Sequence, residues 1–192
     1  MTANKPMDNS EQHVLLQIAR EALYKKLYGQ TLFLEIDEYD SDFRQAGASF
    51  VTLKINNQLR GCIGSLEPHR SLIEDVARNA EAAAFEDPRF PPLTLAEWDD
   101  LQIDISILSP AEPMSFQSEE ELIRQLRPGV DGLVLQENFY RGTFLPSVWQ
   151  QLPEPREFLR QLKRKAGLDP DYWSPVIQVQ RYTTSTISDQ ST

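Results

Sequence analysis

Between Ala48 and Ile63 the sequence alternates in polarity, turns, and alternates again, which commits this part of the chain to antiparallel sheet. Val51, Leu53 and Ile55 share one face and Thr52 and Lys54 the other, the period-two pattern of a half-buried strand. Asn56-Asn57 supplies residues that tolerate positive φ in a tight turn, so the spacing predicts that Leu59 to Ile63 returns beside the first strand. Val130 to Gln136 and Phe139 to Leu145, joined by Glu137-Asn138, read as a second hairpin. The runs around Ile103 and Val179 add further alternating strands.

Helical periodicity interrupts these strands. Ser10 is placed to cap a helix carrying Val14, Leu15, Ile18, Ala19, Ala22 and Leu23, closed by Gly29. Ser71 with Glu74, Thr94 with Glu97 and Ser118 with Glu121 have the three-residue spacing of capping boxes. Arg156 to Ala166 reads as a basic helix ended by Gly167. Between the helix after Ser71 and the next capping box, Glu86-Asp87-Pro88-Arg89-Phe90-Pro91-Pro92 cannot stay helical. Proline lacks the amide hydrogen and disfavours helix in the residue before it. Hairpins interspersed with helices imply an α+β fold, mainly antiparallel sheet with flanking helices. A single domain is expected over residues 10–185, between flexible polar tails at 1–9 and 186–192.

Composition narrows the function classes. The chain has 192 residues and a formal net charge of −10, which argues against general nucleic-acid binding and against electrostatic attachment to anionic lipid. One cysteine cannot form an internal disulfide, and with two histidines, His13 and His69, the chain offers no four-ligand zinc cluster. The acidic run Asp37, Glu38, Asp40 and Asp42 reads as a solvated loop rather than a cation site. No metal-ligand set is identified, and the cofactor is left unknown. The N-terminus lacks the apolar stretch of a signal peptide and no run is long enough to span a membrane, so a cytoplasmic protein is expected.

The candidate chemistry centres on Leu59-Arg60-Gly61-Cys62-Ile63-Gly64. Cys62 is the natural nucleophile, because a thiolate is intrinsically reactive and a nearby cation favours it. Arg60 is a candidate for that cation, and His69 for a base folding back across a turn. The alternative is a small hydrophobic cysteine beside an unrelated loop histidine. Gly61 and Gly64 either permit a tight bend or let a ligand touch bare backbone. Arg89, in the proline-stiffened loop, and Arg141 are candidates to hold a carboxylate or phosphate. Arg89 equally has Glu86 and Asp87 at hand to lock its own loop. The cations of the Arg156 to Lys165 helix either form a docking face or offset the helix dipole.

The hexapeptide matches the signature of the AMMECR family. Ser65-Leu66-Glu67-Pro68-His69-Arg70, the Ala84 to Thr94 segment, Arg127-Pro128-Gly129-Val130-Asp131-Gly132-Leu133, Gly142-Thr143-Phe144-Leu145-Pro146 and Lys163-Arg164-Lys165-Ala166-Gly167-Leu168 resemble it in the same order. The chain is most similar to a bacterial branch, component A of the system called AmmeMemoRadiSam. There the family member is encoded beside a Memo-like protein, similar to non-haem-iron extradiol dioxygenases, and a radical S-adenosylmethionine enzyme. The resemblance implies two closely packed α+β subdomains and a cleft near the hexapeptide, without implying an established reaction. The expectation is a protein that binds a small anionic or redox-active ligand in a cleft formed by the hexapeptide and the Asp87 to Pro92 loop, or a Cys62-dependent enzyme, acting with those two partners. A non-catalytic adaptor of the same system is the alternative.

Overall fold

The computed structural model describes residues 7–189 and divides into two units. One comprises the chain up to Leu108 with the residues from Ser185, and the other is Ser109–Thr184. Residues 1–6 and 190–192, parts of the expected tails, lie outside the described residues. No helix among the described residues is long and apolar enough to cross a membrane.

The first unit begins with α1 (Asn9–Leu27). Its cap is Asp8 rather than Ser10: the Asp8 carboxylate accepts from the amides of Ser10 and Glu11, and Glu11 accepts from the Asp8 amide at 2.7 Å. A carboxylate cap satisfies two helix-end donors and opposes the helix dipole, so it takes precedence over the nearby serine. Gly29 closes the helix at φ +68°, as its position predicts. A short helix α2 (Ser41–Arg44) and a two-residue ribbon, β1 (Ala46–Gly47) with β4 (Arg70–Ser71), flank the main sheet.

That sheet contains β2 (Ser49–Ile55), β3 (Gln58–Gly64), β5 (Leu101–Leu108) and β10 (Thr184–Ser188), in the order β10-β5-β2-β3. β2 pairs antiparallel with both β3 and β5. Asn56 and Asn57 take φ of 52° and 63°, the turn that the sequence predicts. Val51, Leu53, Ile103 and Ile105 are wholly buried in one core with residues of α1 and of α3 (Leu72–Phe85), each such side chain contributing roughly 2 kcal/mol of burial. The alternate residues Phe50, Thr52, Lys54, Asp104 and Ser106 are half-exposed.

β10 runs through residues 186–188, which the sequence reading placed in a flexible tail. Ile187 is buried in the first core, and the Asp189 amide donates to Ile103 at 2.9 Å. One apolar residue in a polar segment is too weak a periodic signal to mark a strand, but it suffices beside a preformed β5.

The second unit has the strand order β6-β9-β7-β8: β6 (Glu112–Pro113), β7 (Gly132–Glu137), β8 (Tyr140–Phe144) and β9 (Gln178–Tyr182), all antiparallel. The helices α4 (Glu119–Gln125) and α5 (Pro155–Ala166) complete it. The hairpin turn is Asn138-Phe139, one residue beyond the expected Glu137-Asn138, because Glu137 pairs with Tyr140 as the last rung and Asn138 takes φ 53°. Trp149 is buried, stacked on Phe158 at 3.7 Å, and donates its indole N–H to the Asp131 carbonyl at 2.7 Å.

The basic face of α5 is not a simple solvated stripe. Lys163 is wholly buried, with Nζ 2.5 Å from Glu119 and over the Trp173 ring. Arg156 pairs with Glu120, and Arg160 with Asp171. Three of the five cations of the helix are thus matched by carboxylates, which lowers the charge it has for docking to a phosphate backbone.

Candidate functional site

The hexapeptide is β3 itself, the edge strand of the first sheet. Gly61 faces α3: a Cβ built there would lie 2.0 Å from the Ala83 carbonyl oxygen. The alanines of α3 and the bare α-carbon of Gly61 together let helix and strand approach. Gly64 faces the other way, where a Cβ would meet the Phe50 ring at 2.2 Å. Neither glycine takes a positive φ, and β3 continues as strand to Gly64. Close packing therefore accounts for both, and the space beside each α-carbon is already filled.

Because Gly61 turns toward α3, strand alternation sends Cys62 to the opposite face. Cys62 is half-buried there, opposite Thr52 of β2, whose hydroxyl donates to the sulfur at 3.3 Å. Thr52 in turn pairs with Asp104 of β5, and Lys54 reaches Asp104 at 2.5 Å. A polar row of Cys62, Thr52 and Asp104 crosses three strands, closed on one side by a lysine. Asp104 is two strand spacings from Cys62, roughly 9–10 Å, too far to take its proton directly.

The free edge of β3 is held by the stiff loop. The Cys62 amide donates to Asp87 Oδ2 at 2.9 Å, and Arg89 Nη2 donates to the Cys62 carbonyl at 3.2 Å. Asp87 and Arg89 are joined by contacts of 2.9 and 2.6 Å. One ion pair thus supplies the acceptor and the donor that a neighbouring strand would otherwise provide, blocking this edge position to further pairing. The Arg89 hydrogen bonds hold the Asp87 carboxyl far below the usual carboxylate range, with help from the Cys62 amide and against the cost of burial. Arg89 is raised, first by its bond to Asp87.

Arg60 is the extra residue of a β-bulge: Leu53 pairs with Gly61 and Lys54 with Leu59. A bulge breaks regular alternation and re-aims the side chain. Arg60 is buried and bidentate with Glu97, at 2.6 and 3.2 Å, and its guanidinium carbon lies 6.0 Å from the Phe90 ring centroid. The bond from Arg60, reinforced by those from Thr94, holds Glu97 down at about 2. The expected Thr94–Glu97 capping box thus also neutralises the arginine. Arg60 Nη1 has no protein partner.

The stiff loop therefore meets the hexapeptide, as expected, through Asp87, Arg89 and Phe90. His69 lies on an exposed loop, 3.6 Å from Glu67, and has no contact with Cys62. Arg141 is on β8 of the second unit and is exposed. Sequence reasoning missed Asp87 as the group that holds Cys62, and missed Thr52, Lys54 and Asp104. Their only signal was to be polar residues on the outward positions of alternating strands. It also missed Asp75, wholly buried on α3, which accepts from the Ser49 amide and hydroxyl and the Ser65 hydroxyl at 2.8 Å and from Asn79 at 2.9 Å. That network ties α3 to the start of β2 and the end of β3.

Comparison with known proteins places this geometry in context. The family model described as AMMECR1 matches residues 16–187. A protein of Methanothermobacter thermautotrophicus is 38% identical over 92% of this chain and 93% of its own length. One of Methanocaldococcus jannaschii is 38% identical over 82% of this chain and 79% of its own. The crystal structure of an uncharacterized protein from Pyrococcus horikoshii superposes with a TM-score of 0.85 at 32% identity, covering 94% of this chain and 92% of the other.

Proposed function

This chain belongs to the AMMECR1 family, and from its edge-strand site we propose a protein that binds a small anionic or redox-active ligand against the Cys62 face, with the thiol as nucleophile or redox group. The observation that carries this reading is the placement of Cys62: away from α3, half-exposed, bonded by a hydroxyl donor, and with both backbone groups fixed by Asp87 and Arg89. A thiol of purely packing function would point into the alanine-lined core. Arg89 is the proposed anion contact, since half of its side chain is exposed while its other donors are anchored. Arg60, buried against Glu97, holds the loop that carries Arg89. His69 would act as a base only after leaving Glu67.

The test is protection of Cys62 from alkylation by small anionic and redox-active compounds. The reading expects a compound that slows alkylation of the wild type and binds at least about tenfold more weakly to Arg89→Gln, the loss typical of a charged hydrogen bond. Failure of every such compound to protect the thiol would contradict it.

The finer placement, beside a Memo-like protein and a radical S-adenosylmethionine enzyme as in the AmmeMemoRadiSam system, is also part of the proposal. The second reading, a non-catalytic adaptor of that system, is favoured by one observation: among the described residues no general base is hydrogen-bonded to the Cys62 sulfur. Purified partners distinguish the two. A stable complex that survives Cys62→Ser unchanged, without ligand protection of the thiol, is the adaptor's result. A cellular function lost in Cys62→Ser is the result expected for the first reading.

A further inference from the structure

The first sheet has one unguarded edge. β10 is its outer strand, with β5 on one side and no strand on the other. The Ser109 amide donates to the Thr183 carbonyl and the Asp189 amide to the Ile103 carbonyl, each at 2.9 Å, so the two strands run antiparallel in an unbroken register. In such a pair only alternate residues turn their main-chain groups toward the neighbour. Thr183, Ser185, Ile187 and Asp189 therefore face β5, and Thr184, Thr186 and Ser188 present their N–H and C=O groups outward. Ser185, Thr186 and Ser188 are exposed, and among the described residues the outward main chain has no hydrogen-bonded partner. Sheet edges are usually protected by a lysine, a proline, a bulge or a covering segment. The Asp87–Arg89 pair protects β3 at Cys62, and β6, the outer strand of the second sheet, contains Pro113. Residues 183–188, Thr-Thr-Ser-Thr-Ile-Ser, contain no charge and no proline, and the Asp189 carboxylate that follows is paired with Arg20.

We propose that this edge pairs with the same edge of a second copy of the chain, β10 against β10, about a two-fold axis at Thr186. A two-fold contact requires a surface that is complementary to itself, and this edge is. With the axis at Thr186, that residue lies opposite its counterpart and Thr184 lies opposite Ser188. Every outward residue then meets an outward residue and exchanges main-chain hydrogen bonds with it. An axis at Ser185 or Ile187 would instead leave Ser188 or Thr184 beyond the paired stretch. Hydroxyls also meet hydroxyls in the first register, a favourable cross-strand combination. The Thr186 hydroxyl already pairs in this way with Ser106 of β5 at 3.1 Å, and the second copy continues that row across the axis. The contact is short and lacks an apolar anchor, so the association is weak and concentration-dependent. Each copy carries a formal net charge of −10, and their repulsion is relieved as ionic strength rises.

The experiment is sedimentation equilibrium of the full chain at physiological ionic strength, over concentrations from about 10 μM to about 1 mM. The average mass is expected to rise from that of one chain toward that of two. Thr186→Pro removes the outward N–H and leaves the bonds to β5 in place, a change that edge strands accept, and should weaken association at least about tenfold. Thr186→Lys and Thr186→Glu test the register and serve if the proline variant does not fold. Either one alone sets like charges opposite each other across the axis and should associate less than the wild type, whereas their equimolar mixture should associate more than either. The proposal is overturned by a wild-type chain that stays monomeric to about 1 mM, the result expected if the edge accepts only a segment of another protein. It is equally overturned by a dimer that a folded Thr186→Pro leaves unchanged, or by a mixture that associates no better than either charged variant.

Discussion

Gly61→Ala should cost the first unit more than about 3 kcal/mol, above the usual range for overpacking, measured as the shift in urea denaturation. The added methyl would lie 2.0 Å from the Ala83 carbonyl oxygen and 3.0 Å from its carbon. Ala83 lies in the last turn of α3, but a backbone carbonyl cannot swing aside as a side-chain end can, so the end of α3 must move off the sheet or β3 must slip. Gly64→Ala is the internal control. Its methyl would meet the Phe50 ring at 2.2 Å, but a half-exposed side chain can turn away, and the expected cost is about 1–2 kcal/mol. Equal losses in the two variants would mean that the helix does not set the approach at Gly61.

Asp87→Ala should be the second large effect, about 3 kcal/mol, the order seen when one member of a buried pair is removed. The substitution leaves the Cys62 amide without its acceptor and Arg89 without its partner. Arg89 keeps access to water through its exposed half, which limits the loss. Asp87→Asn retains an acceptor for the amide and should cost less. The acid limb of stability follows from the same contacts. Asp87 and Glu97 both have folded-state values below their unfolded ones, Glu97 at about 2. The unfolded chain therefore binds more protons in this window, and stability rises with pH. Their contribution is complete above about pH 4–5 and is lost as pH falls through the depressed values. Denaturation from neutral pH downward should show a falling midpoint in the wild type and a shallower fall in Asp87→Asn. An identical acid limb in both would show that this carboxylate is not held as described.

Much of the architecture was legible because period-two and period-3.6 patterns are local. The hairpin at Asn56-Asn57, three of the caps and the Gly29 and Gly167 helix ends are written in neighbouring residues. What could not be read depends on partners distant in sequence. Asp8 and Ser10 are equally plausible caps until the Glu11 contact is seen. Ile187 becomes a strand residue only beside β5. Lys163 reads as a surface cation until Glu119, 44 residues earlier, is found against it.

The candidate site divides along the same line. Cys62 stands out as the lone cysteine, and the Pro88 loop as rigid, so their meeting was foreseeable. The direction of each side chain was not: a one-residue bulge sends Arg60 to Glu97, and alternation from Gly61 sends Cys62 away from the core. His69 is near in sequence and separate in its contacts, because the five-residue loop 65–69 has no obligation to fold back. Thr52 and Asp104 carried no motif beyond being polar positions on predicted strands, and Asp87 was legible as a partner for Arg89 but not as the acceptor of the Cys62 amide.

The alkylation rate of the single thiol in the native protein tests the central claim most directly. Cys62 should react far faster than the chain unfolds, and Thr52→Val should slow it roughly fivefold, about 1 kcal/mol for loss of the hydroxyl that donates to the sulfur. Thr52→Ser should restore the wild-type rate. A thiol that reacts only as fast as the protein unfolds, or at the same rate in all three proteins, would contradict the account and leave Cys62 as a packing residue.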